Sequence, residues 1–385
     1  MKILARIEIE KPSTPLLIGG YDGEACRRLQ VSRQIRIEET LRVPSVRGVV
    51  RWWLRSLIVG ALHYRGLRGR RLEFEMRRVE SSIMGGSNPA QGEIRKASDV
   101  VFQFHEESHS CGWIGADEAS QHDSLRLLFI KRRRPLSYLS DLSGTLLVGL
   151  RCMEVRSEHK LALAATALAL ALSGFGKRSR RGFGSVEFSF VRSELFEGLT
   201  SGGLTPRDLE NLVRVSQSIS REVAGGAASA SPRSLPDLSA IHTDSFALLY
   251  SPRGGRDVHK TLQRMFTRSG LESVFGESPL RDSLSAWILG LPRSARDTGY
   301  FMPAGRGRRG SPFILSVHRT YSSLSIFPSM DWFRRIQWRG RYSRRSLDID
   351  EDRIREAYSQ AASTLFDWME KMGFSPQWVV RPGWM

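Results

Sequence analysis

Gly174-Phe-Gly-Lys-Arg-Ser-Arg-Arg-Gly-Phe-Gly-Ser185 joins an apolar helical run to a short strand, and the order of elements around it decides the fold. Gly174, Gly176, Gly182 and Gly184 can take positive φ and let main-chain N–H groups approach an anion. Lys177, Arg178, Arg180 and Arg181, with Ser179 among them, supply charge and, for arginine, paired donors. Phe175 and Phe183 either stack on bases or anchor the turn to the core. The bland alternative is an ordinary solvated turn, which glycine and arginine also make. Upstream, Leu161 to Leu172 is alanine-rich, apolar and too short to cross a bilayer, so it reads as a buried helix within Ser157 to Ser173. Downstream, Ser185 to Val191 reads as a strand.

Working outward, Lys2 to Glu10 alternates Ile3, Ala5, Ile7 and Ile9 with Lys2, Arg6, Glu8 and Glu10, the period of a half-buried strand. Gln34 to Glu38 is strand-like. Pro44 and Ser45 open a helix from about Val46 to Tyr64. At about 100° per residue Arg47, Arg51 and Arg55 form a basic stripe opposite Val50, Trp53, Leu57 and Ala61. Trp52 lies between these faces, placed for core packing, for a guanidinium or for a base. Residues 65–78 stay strongly basic. Residues 98–105, 124–131 and 145–155 read as strands. Strand, helix, strands, helix, strand is the order of a ferredoxin-like βαββαβ domain with insertions over residues 1–200, an α+β fold with helices on antiparallel sheets.

Residues 201–240 read as a connector: a helix from Thr205-Pro206 to about Val223, then a stretch rich in Gly, Ala, Ser and Pro. Residues 241–385 read as a second, diverged ferredoxin-like domain. Its signals are a strand over 244–250, helical segments at 257–275 and 282–290, and strands over 313–319 and 323–327. Gly305-Arg-Gly-Arg-Arg-Gly-Ser-Pro312 repeats the Gly/Arg chemistry through Arg308 and Arg309. A basic tract, Arg334 to Arg345, precedes the last helix, whose start is marked by Asp350, Glu351 and Asp352. Its apolar stripe is Ile354, Ala357, Tyr358, Ala361, Leu365, Trp368 and Met372.

The chain of 385 residues carries 58 Lys+Arg against 40 Asp+Glu, a formal net charge of +18, so a polyanionic partner is favoured. Cys26, Cys111 and Cys152 stand far apart, which argues against a disulfide framework or zinc ribbon and for a reducing, cytoplasmic compartment. No signal peptide opens the chain. His105, His109, Cys111 and His122 raise a metal question in a segment that reads as a polar loop, but no second Cys or His pair follows at finger spacing, and no metal or other cofactor is expected. Paired carboxylates are missing near the basic turns, so metal-dependent nuclease chemistry finds no support.

Several of these motifs together resemble the RAMP superfamily of CRISPR proteins. They are Thr14-Pro15-Leu16 with Gly19-Gly20, then Arg42-Val-Pro-Ser-Val-Arg-Gly-Val-Val-Arg-Trp-Trp-Leu-Arg55, then the turn at 174–185. The Pro-x-x-Arg-Gly-x-x-Arg-Trp-Trp pattern, Leu289-Gly-Leu-Pro-Arg293 and Arg308-Arg-Gly-Ser-Pro312 are similar to the family of subunit one of the Cmr complex, the type III-B effector. That resemblance implies two ferredoxin-like domains, a place near the 3′ part of a guide RNA, and neighbouring RAMP subunits, with target cutting and cyclic oligoadenylate synthesis left to other subunits. The expected function is non-catalytic binding of guide RNA, and of target RNA or the guide–target duplex. Lys177, Arg178, Arg180, Arg181, Arg47, Arg51, Arg55, Arg293, Arg308 and Arg309 would hold phosphates while RNA pairing reads sequence. Six or more such contacts predict an affinity loss of at least about three orders of magnitude between ~50 and ~200 mM salt. The rival classes are a metal-independent RAMP endoribonuclease using His63 or His159, and a bare protein scaffold.

Overall fold

The computed structural model describes residues 1–18, 28–30, 36–38, 41–86, 97–115, 136–225, 234–291, 293–295, 298–302, 309–340 and 343–385. The first half runs β1 (Lys2–Pro12), β2 (Arg28–Gln30), β3 (Arg36–Glu38), α1 (Val43–Tyr64), α2 (Gly69–Met84), β4 (Val100–Ile114), β5 (Leu136–Leu150), α3 (Ser157–Leu172), β6 (Val186–Ser193) and α4 (Pro206–Ala224). Its main sheet is antiparallel in the order β4-β5-β1-β6, the ferredoxin-like arrangement. A bulge between Ile3 and Ala5 breaks the alternation of β1. It leaves Ile3 37% exposed and Leu4 1% exposed, reversing the expected placing of Ile3.

Three expectations for this half need correction. Residues 105–111 are strand, not polar loop, because β4 continues to Ile114 in register with β5. The strand expected over 145–155 begins at Leu136 and ends at Leu150. Residues 69–84, read only as far as 78 and there only as part of the basic run 65–78, form α2, held by Leu72, Met76, Val79 and Ile83, which recur at helical spacing and are buried. The strand expected at 124–131, and His122, lie outside the described residues.

The second half repeats the permutation. It runs β7 (Ala247–Ser251), α5 (Arg256–Leu262), α6 (Arg268–Phe275), α7 (Pro279–Asp282), β8 (Arg293–Ala295), β9 (Thr298–Phe301), β10 (Phe313–Val317), β11 (Ser322–Ile326), β12 (Arg335–Arg339), β13 (Arg344–Asp348), α8 (Glu351–Lys371) and β14 (Gln377–Val380). The order β10-β11-β7-β14 matches that of the first half. Two insertions, one before β10 and one after β11, pair with each other as a further sheet, β13-β12-β9-β8. The expected 257–275 helix is interrupted where Thr267 leaves the helical region and caps α6 through the Gly270 N–H.

The two halves share a seam built around α3. Apolar on all sides, this helix buries thirteen of its residues and has no solvent face to offer. One side packs in the first half's core and the other meets β10 and β11. Alternation along the second sheet sends Leu248, Tyr250 and Ile314 into the core of the first half, and Leu249, Phe313, Leu315 and Val317 into that of the second. All three strands β7, β10 and β11 are therefore buried throughout. Helix α4, expected as part of a connector, belongs to the same layer. Thr205 and Asp208 cap it reciprocally, and Ser220 donates to the Leu57 carbonyl of α1 at 2.7 Å.

Candidate nucleic-acid interface

The Gly/Arg turn lies in this seam. Its glycines serve close approach: the Phe175 N–H donates to the Gly184 carbonyl at 2.9 Å, and a Cβ on Gly174 or Gly184 would press into the backbone of the opposite limb, well inside 3.0 Å. Gly176, Gly182 and Gly184 have φ of 84°, 79° and 73°. Phe175 and Phe183 are buried, so of their two readings the anchor is the one realised. Several main-chain donors are used internally as well. Lys177 N–H donates to Leu17, Arg181 N–H to Arg178, Gly182 N–H to Ser179, and Arg180 accepts from Leu315 N–H across the seam.

The turn's arginines divide. Arg180 donates to the Ser311 carbonyl, and its guanidinium lies 5.1 Å from the centre of the Trp52 ring. Burial, then the Arg309 charge, lowers its pKa to about 10. Trp52 thus takes the guanidinium reading, its ring also packed 4.8 Å from Phe327. Arg181 is partly buried, stacked 4.0 Å over Phe266, with Nη2 donating to the Leu289 carbonyl at 3.1 Å. Burial, then Arg293, Arg178 and Arg180, push its pKa down to about 9. Arg178 and Lys177 are half-buried at the tip. Arg178 holds φ of 62°, a left-handed conformation that costs a non-glycine residue about 1–2 kcal/mol.

The stripe on α1 faces α2. Arg51 Nε and Arg55 Nε donate to the two oxygens of Glu80 at 2.6 and 2.8 Å, and Arg47 donates to the Met84 carbonyl. Glu80 is 3% exposed and is the acid that the sequence reading missed; the buried spacing of α2 was the signal that would have found it. We expect Glu80→Ala to destabilise the fold by about 2 kcal/mol, discounted because Arg55 is half exposed. Chemical denaturation reads this out, and unchanged stability would return Arg51 and Arg55 to the pool of RNA contacts.

In the second half, Arg309 pairs with Asp331 at 2.7 Å and lies 4.9 Å over Trp332. Arg293 is partly buried and donates to the Phe266 carbonyl at 2.6 Å. Arg308 lies outside the described residues. His63 is buried near the end of α1, 5.5 Å from the His242 ring. His159 accepts from the Arg156 N–H at 3.1 Å as a helix cap. Burial, then Arg156, lowers its pKa. On β4, His109 pairs with Glu106 at 2.6 Å. Cys111 is disulfide-bonded, contrary to expectation, because spacing along the chain does not report which segments meet in space. Among the described residues no helix is long and apolar enough to cross a membrane.

Two hollows flank the turn. One, of about 350 Å³, lies against the N-terminal end of α1 and is lined by Pro44, Ser45, Gly48, Trp52, Ser179 and Arg180, among others. The other, of about 650 Å³, opens on the opposite side toward the inserted sheet. Residues 11–187, from the end of β1 to the strand after the turn, match the RAMP superfamily. Over those residues the chain is similar to the RAMP superfamily.

The matched segment holds the end of β1, α1 and the turn, while Arg293 and Arg309 fall beyond it. None of the curated proteins matches the chain in sequence. In fold it is similar to Cmr1 from Pyrococcus furiosus in its apo crystal form, at 17% identity and a TM-score of 0.54, covering 97% of this chain and 98% of that one. It is also similar to a chain of the type III-B Cmr-beta complex bound to cognate target RNA and AMPPnP in the presence of ssDNA, at 12% identity and a TM-score of 0.58, covering 95% and 100%. A second Cmr-beta structure, bound to cognate target RNA, gives 12% identity, a TM-score of 0.55 and coverage of 94% and 99%. The likeness in fold extends over nearly the whole of this chain in each case.

Proposed function

We propose that this protein is a non-catalytic RNA-binding subunit of a type III-B Cmr complex, holding guide RNA beside other RAMP subunits. The observation that carries this reading is the meeting of the first turn of α1 with the Gly/Arg turn around the smaller hollow. Helix N-terminal N–H groups and arginine donors there favour a phosphate. The tip residues Lys177, Arg178 and Ser179 pass the strand along, and Arg178 keeps a strained backbone that glycine would relieve, as expected where a charge is retained for binding. Likeness in fold, over nearly the whole length, to Cmr1 and to chains of two Cmr-beta structures supports the assembly.

The internal partners of Arg47, Arg51, Arg55, Arg180, Arg181 and Arg309 reduce the number of phosphates these residues can neutralise. With two or three contacts at the tip, affinity for single-stranded RNA falls about tenfold between ~50 and ~200 mM salt, not a thousandfold. A fluorescence-polarisation series on wild type and on the Lys177→Glu/Arg178→Glu double variant tests this. The double variant loses most of the affinity and the salt slope flattens. Binding unchanged by the double reversal would leave a protein scaffold, and His63-dependent cutting of repeat RNA would make the chain an endoribonuclease.

A further inference from the structure

The larger hollow has no role in that reading. Arg178 and Arg181 of the turn form one wall, and the inner face of the inserted sheet forms another. On that face the register sets Arg293 opposite Tyr300, and Tyr300 opposite Trp338. Six arginines line the cavity, and no carboxylate does so among the described residues. Two of the six have their own acids: Arg268 pairs with Glu272, and Arg309 with Asp331. Arg181 and Arg293 instead donate to carbonyl oxygens of Leu289 and Phe266, which leave both positive charges uncompensated among the described residues. Arg181 Nη1 is buried and has no hydrogen-bond partner among the described residues.

Buried cations are normally paired, and an orphaned guanidinium donor is costly. Here burial pushes Arg293 down to about 10 and Arg181 further, yet both remain charged near neutral pH. A cavity of about 650 Å³ is within the range of small-ligand sites and far too small for a duplex. An anion is the species that would satisfy these donors, and the aromatic wall suits a flat group attached to it.

We propose that this cavity binds a phosphate monoester, with Arg181 and Arg293 on the phosphate and Trp338 and Tyr300 beside an attached base. The proposal rests on the RNA-binding reading only for the ligand's source, which is either the phosphorylated end of an RNA or a free mononucleotide.

The test uses the full chain with inorganic phosphate, adenosine monophosphate and adenosine, read by thermal unfolding and calorimetry. Adenosine monophosphate raises the unfolding temperature, and adenosine does not. Arg181→Met abolishes the response, and with no ligand present it unfolds no earlier than wild type, since an uncompensated charge has been removed. Because that substitution lies in the seam, Arg281→Ala and Trp338→Ala at the cavity wall provide a second measurement. Each weakens adenosine monophosphate about tenfold. A response that survives both wall variants, or that wild type never gives, overturns the site.

The source is read with two RNAs differing only at one end. Tighter binding of the phosphorylated RNA, lost in Arg281→Ala, assigns the site to an RNA terminus. Equal binding with a retained nucleotide response assigns it to free nucleotide. Failure of the cavity with RNA affinity intact leaves the RNA reading standing, whereas a nucleotide response in a chain that binds no RNA removes that reading alone.

Discussion

Gly184→Ala is expected to cost ~4 kcal/mol or more and to leave little folded protein. Two penalties coincide at this position. Its φ of 73° is left-handed, where a Cβ is disfavoured on any backbone. The added carbon would also fall on the carbonyl and backbone of Phe175 and close to the Leu16 side chain. Neither limb can yield, because the turn is tied to Leu17 on one side and to Leu315 across the seam on the other. The control is Gly198→Ala, which shares a positive φ of 78° but has nothing within 4 Å of the new carbon, so it should lose only about 1 kcal/mol. Urea unfolding of the pair separates backbone strain from steric exclusion, and similar midpoints would contradict the close packing of the turn.

Glu187→Ala is the second large effect, about 4 kcal/mol, because one buried carboxylate on β6 joins the two halves. It accepts from the Ser13 hydroxyl, from Ser201 Oγ at 2.7 Å, and from the Arg319 N–H of the second half at 2.8 Å. His318, fully buried, places Nδ1 3.7 Å from the same carboxylate while its Nε2 donates to the Ala171 carbonyl at 3.1 Å. Burial pushes the Glu187 carboxyl up, but His318 and the Ser13 and Ser201 hydroxyls outweigh it and hold the pKa at about 2. The unfolded carboxyl titrates near 4.5, so its contribution is complete above that pH and is lost as pH falls toward 2. Glu187→Gln should keep most hydrogen bonds, since Ser201 can rotate to accept, and cost about 2 kcal/mol at neutral pH. Its deficit relative to wild type should shrink on acidification from about pH 5 to pH 3. A deficit that stays constant over that window would mean that the charge contributes nothing.

The residues that made helices and strands legible were those whose spacing alone specifies burial. The stripe Ile354, Ala357, Tyr358, Ala361, Leu365, Trp368 is buried along α8 as expected, and the all-round apolar run at 161–172 is enclosed. Spacing failed where a single residue resets it, as at the bulge in β1, and where charge masks a narrow stripe, as in α2. Cys111 and Glu80 illustrate another limit, because their partners are set by topology and are remote in number.

By itself, the amino-acid sequence determined the βαββαβ order of the first half, three of the four glycines expected at positive φ in the turn (Gly174 is not) and the excess of arginine, since each follows from local sterics or composition. Only the tertiary structure decided what those arginines do. A guanidinium has the same charge whether it meets water, RNA or a carbonyl oxygen, and its partner is chosen when two sheets close on one helix. That closure carried Arg181 and Arg293 inward to a cavity, tied Arg51 and Arg55 to Glu80, and left Lys177 and Arg178 at the tip.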